Sequence, residues 1–396
     1  MSRASSALNE TAGEAVRRVH LVYPHGPRVS APDAIGRHLG QRLEAQYRVV
    51  YHEWDSRGTI RPRPGDVLLG HAHPARGTIF RRSAKERGWS RVLMMSPYHH
   101  GDLRQVAFVD PIIRDCDLYL AITGPYWFGS IGGSSCSHWL PKMVHLDLAV
   151  DRADFPPLKN GFGPPGNRRF VYIGSSLSTK NTPYLTEIAR RLPGVAFSWA
   201  GGDGAPEIAG LASLGYVDFA RPEGRKTMSS FDFLVTVGRA DANPTTILEA
   251  MAWGLVPVCT PQSGYAGIPS ITNVPLDDPD RATAVMTRLN TLPEESLLAM
   301  QAENWRLLDQ HYNWDRFAAQ VTAAIESAAS PPLGAESRSR RILFACYSPL
   351  SPYLPLSTGL ARVTSKVRNL SRDVATAVRR NSRRPRVDHR PGGPQR

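Results

Sequence analysis

The segment 241–254, with the sequence DANPTTILEAMAWG, has the residue types of a helix start that binds phosphate. Asn243 is a good N-cap and Pro244 suits the first helical position, so this pair predicts that a helix begins here. Thr245 and Thr246 then fall in the first turn, where backbone N–H groups lack partners within the helix. That end of a helix carries about half a positive charge and commonly binds phosphate.

Two carboxylates flank these threonines. Glu249 lies one turn along the predicted helix, where its carboxylate can accept hydrogen bonds from two hydroxyl groups, such as those of a ribose. Asp241 precedes the helix and can direct its carboxylate into the same cleft. The segment therefore predicts a site for a phosphate and a sugar.

Histidines follow two predicted strands in the first half of the chain. The strand 66–70 is followed by His71 and His73, and the strand 91–95 is followed by His99 and His100. In parallel sheets, ligand groups gather just beyond the carboxyl ends of the strands. The histidines are therefore candidates for the same kind of site.

The elements that position these residues alternate along the chain. Strands are predicted at 18–23, 48–54, 66–70, 91–95, 117–123, 169–174, 195–200, 231–237 and 255–260. Helices are predicted at 32–47, 182–191, 243–253 and 313–329. Strands separated by helices or loops indicate parallel α/β sheets. The expected fold class is therefore α/β, with two Rossmann-like domains that face a cleft.

The length of 396 residues exceeds one ordinary domain. We expect a flexible leader at 1–17, an acceptor-side domain at 18–150, a donor domain at 151–330 and a basic tail at 331–396. A stretch rich in Pro and Gly, 156–167, is typical of a linker.

The spacing Asp241-x7-Glu249 resembles the E-x7-E motif of retaining GT-B glycosyltransferases, in particular the family 4-like, group 1 domain. The first carboxylate is Asp here instead of Glu. The resemblance implies that Glu249 binds the ribose of a nucleotide-diphosphate sugar, with Asn243, Thr245 and Thr246 at the donor. It also implies that Asp241 contacts hydroxyls of the donor sugar.

The resemblance extends to segments on either side. The strand ending at Gly174 leads into a loop in which Lys180 matches a lysine that neutralises the donor diphosphate. Ser175 stands near the position of the family's arginine, so one positive charge is missing, and Arg239 or an arginine of the first domain is a candidate replacement. Further donor-binding residues implied by the resemblance are Gly202, Tyr216 and Val217, whose backbone lines the nucleobase. A histidine facing the donor sugar is implied at His99 or His100, and the sequence leaves both open.

The reaction implied is transfer of a sugar from a nucleotide-diphosphate sugar to an acceptor hydroxyl with retained configuration. The donor is a co-substrate, and neither a cofactor nor a metal is expected. The alternative is a catalytically weak or inactive nucleotide-sugar binding protein. Nucleotide-sugar epimerases and phosphorylases share the fold, but the additional acids of the first and the greater length of the second are not found.

The net charge of +13 is concentrated in the tail. Residues 338–396 contain 14 Lys and Arg and two acids, so the rest of the chain is near neutral. Apolar residues recur at steps of three and four along 356–380, which predicts a basic amphipathic helix. Segment 356–390 is thus expected either to lie on an anionic membrane surface or to dock on the body. Nucleic-acid binding is the weaker interpretation, since no aromatic residues follow Tyr353.

No signal peptide is recognised in the sequence, which favours a cytoplasmic protein. The chain starts with polar and small residues, has no apolar stretch long enough for a membrane span, and has four cysteines without a C-x-x-C pair. We expect a cytoplasmic protein, peripheral on the inner face of the membrane if the tail binds there. A lipid-linked or polysaccharide acceptor is a hypothesis that would suit this location.

Overall fold

The structure is a computed structural model that describes residues 16–26, 30–74, 78–176, 178–201 and 208–335. The expected leader, apart from Val16 and Arg17, and the expected amphipathic segment 356–390 lie outside the described residues. Within them, no helix is long and apolar enough to cross a membrane.

The first half of the chain forms a six-stranded parallel sheet. Its strands are β1 (Arg18–Val22), β2 (Arg48–His52), β3 (Val67–Gly70), β4 (Arg91–Ser96), β5 (Leu118–Ala121) and β6 (Met143–His145), in the spatial order β2-β1-β3-β4-β5-β6. The helices are α1 (Ala31–Leu43), α2 (Ile79–Ser83), α3 (Leu103–Arg114) and α4 (Gly124–Ser130). The central strands are apolar runs that are buried on both faces, as parallel sheets covered by helices require.

The second half forms another six-stranded parallel sheet. Its strands are β7 (Arg169–Ile173), β8 (Ala196–Ala200), β9 (Ala212–Gly215), β10 (Phe233–Thr236), β11 (Val256–Cys259) and β12 (Thr272–Asn273), in the order β12-β11-β10-β7-β8-β9. The helices are α5 (Thr182–Arg191), α6 (Pro222–Ser229), α7 (Thr245–Trp253), α8 (Pro279–Thr291), α9 (Glu294–Gln310) and α10 (Trp314–Glu326). Each predicted strand is present, with ends that differ by one or two residues.

The last helix returns to the first half of the molecule. In α10, Trp314 stacks on His38 of α1 with ring centroids 4.9 Å apart. The Arg42 guanidinium donates to Asp315 at 2.6 Å, and the Tyr47 hydroxyl donates to Glu326 at 2.5 Å. The sequence interpretation placed this helix in the segment 151–330 by chain order, whereas its side chains bind the first half.

Candidate functional site

Each sheet has a topological switch point, where the order in which successive strands are added to the sheet reverses. The two switch points face one cleft. In the first sheet this switch lies between β1 and β3, and in the second it lies between β7 and β10. The loops that leave neighbouring strands at such a point diverge to opposite faces of the sheet and leave a crevice between them. The segments 174–180 and 237–244 are the two loops at the second switch point.

The cleft between the halves has a volume of about 530 Å³. Its second-half wall consists of Lys180 and the run from Ala240 to Thr245. Its first-half wall combines aliphatic and proline side chains with Gln105 and with the rings of Tyr23, Trp54, His71, His73, Tyr98 and His99. Of the residues proposed from sequence, the structure therefore brings together His71, His73, His99, Lys180, Asp241, Asn243 and Thr245.

Lys180 and Asp241 form an ion pair between the two loops at the second switch point. The lysine side chain is 27% exposed and the aspartate side chain 17% exposed, so both remain accessible from the cleft. They are the two charged side chains among the described lining residues, histidines apart.

The start of α7 differs from the sequence prediction by one residue. Pro244, with φ −65° and ψ 123°, is the N-cap, and Thr245 is the first helical residue. Asn243 does not cap the helix, because its Oδ1 accepts a hydrogen bond from the Tyr265 hydroxyl at 2.5 Å. The predicted cap at Asn243 is therefore wrong. Since no side chain caps α7, its first N–H groups stay free of a side-chain acceptor beside the cleft.

Glu249 lies one turn along α7 and is partly buried, with a side-chain hydrogen bond from Thr245. Burial raises the pKa of Glu249 to about 7, and the bond from Thr245 opposes this shift. At neutral pH the empty protein therefore holds Glu249 as a mixture of acid and carboxylate. A ligand that donates hydrogen bonds to the carboxylate stabilises the ionised form of Glu249.

The loop after β7 contains further residues proposed for the donor. Gly174 has φ +148°, a conformation that L side chains rarely adopt, and Ser175 is exposed with its carbonyl accepting from the Tyr172 hydroxyl at 2.6 Å. Arg239, the candidate for the missing cation, donates to the Asn181 amide oxygen at 2.7 Å. Its guanidinium is thus held beside the Lys180 loop.

His99 and His100 differ in their surroundings. His99 lines the cleft, is buried, and stacks on Trp127 with ring centroids 3.9 Å apart. Its Nδ1 accepts from the Gly101 N–H at 3.1 Å, and the ring also bonds the Ala240 carbonyl. His100 is not among the lining residues and lies 3.4 Å from the Ser130 hydroxyl. Of the two histidines left open by the sequence, His99 is therefore the one that lines the cleft.

Gly174, Ser175 and Glu249 are not among the residues that line this cleft, and the remaining donor candidates also lie outside its lining. Tyr216 follows β9 and is 66% exposed, and Val217 beside it is partly buried. Thr246 is partly exposed in the first turn of α7. Gly202 lies outside the described residues. No group of three or more His, Cys, Asp or Glu able to hold a metal is present in the described part of the chain.

Three solved structures of glycosyltransferases are similar to this chain. A sucrose-phosphate synthase from Thermosynechococcus elongatus is similar over 83% of this chain and 100% of its own, with a TM-score of 0.58 and 13% identity. The catalytic domain of starch synthase IV from Arabidopsis thaliana is similar over 79% and 99%, with a TM-score of 0.54 and 10% identity. A glycosyltransferase from Rickettsia africae is similar over 79% and 98%, with a TM-score of 0.52 and 10% identity.

The chain has the GT-B fold. This confirms the two facing Rossmann-like domains expected from sequence. No protein-family model matches the chain, and none of the curated proteins is similar to it in sequence.

Several residues at the cleft of this GT-B chain were not found from sequence, and Trp127 is the most informative. Its indole N–H crosses from α4 to the second half and donates to the Asp241 carbonyl at 3.0 Å and the Gln262 carbonyl at 3.3 Å. Next to it, the Tyr126 N–H donates to the Gly264 carbonyl at 3.0 Å. These bonds hold the loop that bears Asp241. The available signal was the position of 124–127 directly after a predicted strand.

A glycine permits the close approach of the two halves beside Trp127. Gly124 has φ +66°, and a Cβ there would lie 2.6 Å from the Gly264 carbonyl oxygen and 3.1 Å from that of Ala242. Any larger residue would push the loops apart, so Gly124 sets the spacing at this end of the cleft.

Proposed function

We propose that the chain is a glycosyltransferase that moves a sugar from a nucleotide-diphosphate sugar to an acceptor hydroxyl. One observation carries this proposal. At the switch point of the second sheet, Lys180 and the uncapped start of α7 line one cleft, and Glu249 lies one turn further along that helix. Their types and order match the diphosphate and ribose of a nucleotide donor. The GT-B fold supports the same assignment.

The leaving diphosphate gains negative charge as the sugar departs. The free N–H groups of Thr245 and Thr246 and the ammonium of Lys180 would stabilise that charge, since fixed dipoles and cations need no reorganisation during the reaction. The ion pair with Asp241 has to open as the diphosphate binds Lys180. Asp241 is then free to accept hydrogen bonds from hydroxyls of the donor sugar.

His99 contributes to the sugar pocket through its position. With Nδ1 accepting from Gly101, its other nitrogen carries the hydrogen that bonds the Ala240 carbonyl. Burial lowers the pKa of His99 to about 4, so the ring is neutral at pH 7. Because both nitrogens are occupied, His99 shapes the wall and orients the Asp241 loop.

Retention of configuration and independence from a metal or other cofactor are part of the proposal. Both are supported by the resemblance of Asp241-x7-Glu249 to the motif of retaining enzymes. The diphosphate is part of the donor substrate. The charge on that diphosphate would be met by Lys180 and the α7 N–H groups. Closure of the two halves would limit hydrolysis of the donor by water.

A second candidate is a nucleotide-sugar binding protein with little or no transfer activity. The ion pair of Lys180 and Asp241 favours it, because the pair neutralises the lysine in the empty site. Ser175 also stands where the resemblance places an arginine. Isotope-labelled UDP-, GDP- and ADP-sugars offered to the full chain separate the two candidates. Release of nucleoside diphosphate with label in an acceptor supports the transferase, and binding without release or transfer supports the second candidate.

We also propose that segment 356–390 attaches the protein to the cytoplasmic face of an anionic membrane. Its support is the apolar stripe at steps of three and four flanked by Arg and Lys. A lipid-linked or polysaccharide acceptor would then be within reach. Co-sedimentation with anionic and neutral vesicles tests this. Pelleting that needs anionic lipid and is lost without 338–396 supports it, and equal pelleting of both chains contradicts it.

A further inference from the structure

The first-half wall of the cleft includes an array of rings from residues that follow four neighbouring strands. Trp54 follows β2, and its ring centroid lies 5.0 Å from that of His71 and 4.5 Å from that of His73, both of which follow β3. Tyr98 follows β4 and stacks on His71 at 5.3 Å. Tyr23, after β1, lies 5.8 Å from His71. The rings therefore form one continuous surface.

The buried members of this surface are fixed by hydrogen bonds. The Tyr23 hydroxyl donates to the Met95 carbonyl at 2.7 Å, and the Tyr98 hydroxyl donates to the Ala72 carbonyl at 2.8 Å. His71 is paired with the Ser96 hydroxyl at 3.0 Å. Trp54 and His73 rest on this layer and are partly exposed to the cleft. A platform fixed in advance loses little conformational entropy when a ligand covers it.

The wall is uncharged at neutral pH. None of the described first-half lining residues is Lys, Arg, Asp or Glu. Burial lowers the pKa of His71 to about 3 and also lowers that of His73, so these imidazoles are neutral at pH 7. An anionic group on this wall would lose its hydration without gaining a cation. The apolar face of a neutral sugar ring, in contrast, fits an aromatic surface.

Two amide side chains at the cleft hold unused hydrogen-bonding atoms. The Oε1 of Gln105 and the Nδ2 of Asn243 are buried and have no partner in the structure, and both residues line the cleft. Asn243 is 7% exposed, and its Oδ1 is already used by Tyr265. Buried polar atoms are normally paired, so these two call for a ligand with hydroxyl groups. The Gln105 Oε1 is a hydrogen-bond acceptor and the Asn243 Nδ2 is a donor. A hydroxyl group can pair with either atom, because it both donates and accepts hydrogen bonds.

We propose that the first-half wall binds the acceptor as an uncharged sugar or polyol, with a ring face on Trp54 and His73. Its hydroxyls pair with Gln105 on the same wall and with Asn243 across the cleft. This proposal rests on the proposed function, because a bound sugar is an acceptor only if the chain is a glycosyltransferase. It names a class of substrate: neutral carbohydrate, in contrast to a sugar phosphate or an acidic sugar.

The test is binding of matched sugars to the full chain, measured by saturation-transfer NMR. Glucose and mannose are compared with glucose 6-phosphate and mannose 6-phosphate at physiological salt. We expect signals from the neutral sugars and binding of the phosphorylated ones that is weaker by about fivefold or more. Phosphorylated sugars that bind as tightly as the neutral ones, or a panel in which no neutral sugar binds, would overturn the proposal.

Variants locate the binding on the wall. Trp54→Ala should lower neutral-sugar affinity by about tenfold, whereas Trp54→Phe, which keeps an aromatic face, should retain most of it. Gln105→Ala should weaken binding, whereas Gln46→Ala, at an exposed position of the first half, should not. Unchanged binding in both Trp54→Ala and Gln105→Ala, with wild-type thermal unfolding, would overturn the proposal as well.

Nucleotide binding measured on the same samples keeps the two proposals apart. If UDP-, GDP- or ADP-sugars stabilise the chain and neutral sugars do not bind, the acceptor proposal fails and the proposed function stands. If neutral sugars bind through Trp54 and none of the nucleotides does, the wall is a carbohydrate site and the proposed function fails.

Discussion

Lys180 and Asp241 neutralise each other across the switch point of the second sheet. Each follows one of two adjacent strands, β7 and β10, so the fold alone brings them together. A diphosphate that binds Lys180 competes with the Asp241 carboxylate for the same ammonium. In the empty site the Lys180 ammonium is therefore paired with Asp241, and the donor diphosphate has to break this ion pair in order to bind the lysine.

Replacing Asp241 by Asn removes this competition. We expect Asp241→Asn to bind free nucleoside diphosphate about fivefold more tightly, since a partly exposed ion pair contributes about 1 kcal/mol. Transfer should fall at the same time, because the amide does not replace the carboxylate at the donor sugar. Calorimetry gives the affinity, and labelled donor gives the rate. Weaker nucleotide binding in this variant would contradict the assigned competition.

Glu249 is expected to bind the nucleotide and to lower the free energy of unfolding of the empty protein. We expect Glu249→Gln to weaken nucleotide binding about tenfold or more. The neutral amide cannot replace the charged carboxylate as the acceptor of hydrogen bonds from two ribose hydroxyls. The same variant should raise the free energy of unfolding of the empty protein at pH 8 by about 2 kcal/mol, since it removes a buried charge. Glu86→Gln, at an exposed position, is the matched control and should change neither quantity.

The wild-type protein should show a pH dependence that follows from the raised pKa of Glu249. Between about pH 4.5 and 7 the folded protein keeps a proton on Glu249 that the unfolded chain loses. The folded state then binds more protons, so this group makes the free energy of unfolding fall as pH rises through that window. Nucleotide affinity should rise over pH 6 to 8 as the carboxylate forms. Both trends should disappear in Glu249→Gln, and their persistence would assign them to another group.

Trp127 is expected to act as a positioning residue for Asp241. Trp127→Phe keeps the ring against His99 but removes the N–H that bonds two second-half carbonyls, so it should cost about 1 kcal/mol of unfolding free energy. It should lower kcat more than it raises KM. Trp305→Phe is the matched control, because the buried Trp305 Nε1 has no partner in the structure and its loss should cost little. Equal effects of both changes would indicate loss of packing alone.

The sequence was sufficient for much of the fold because apolar runs and helix signals are local. The helix α5 was predicted with the ends that the structure has, and the buried strands were recognised from continuous apolar residues. Strands β6, β9 and β12 were not predicted, because they are short and partly exposed edge segments with weak patterns. The return of α10 to the first half depends on contacts such as Trp314 with His38, which local patterns do not contain.

The site was predictable where it depended on strand ends and not where it depended on contacts between halves. His99, together with His100, was proposed from its position after a strand, Asp241 from its position before a helix and Lys180 from the family resemblance. His99, Lys180 and Asp241 lie at one cleft. The capping role of Asn243 was wrong because a distant hydroxyl, that of Tyr265, binds its side chain. Trp127 was missed for the same reason, since its partners lie more than a hundred residues away.

The most direct test of the donor site is thermal unfolding of the full chain with UDP-, GDP- and ADP-glucose, compared with Glu249→Gln and Lys180→Met. A ligand at 100 times its Kd stabilises the folded state by about 2.7 kcal/mol. We predict that at least one of the nucleotide sugars raises the Tm of the wild-type chain and that each substitution reduces this rise. No stabilisation by any of them, or an equal rise in all three proteins, would contradict a nucleotide-sugar site at Lys180 and Glu249.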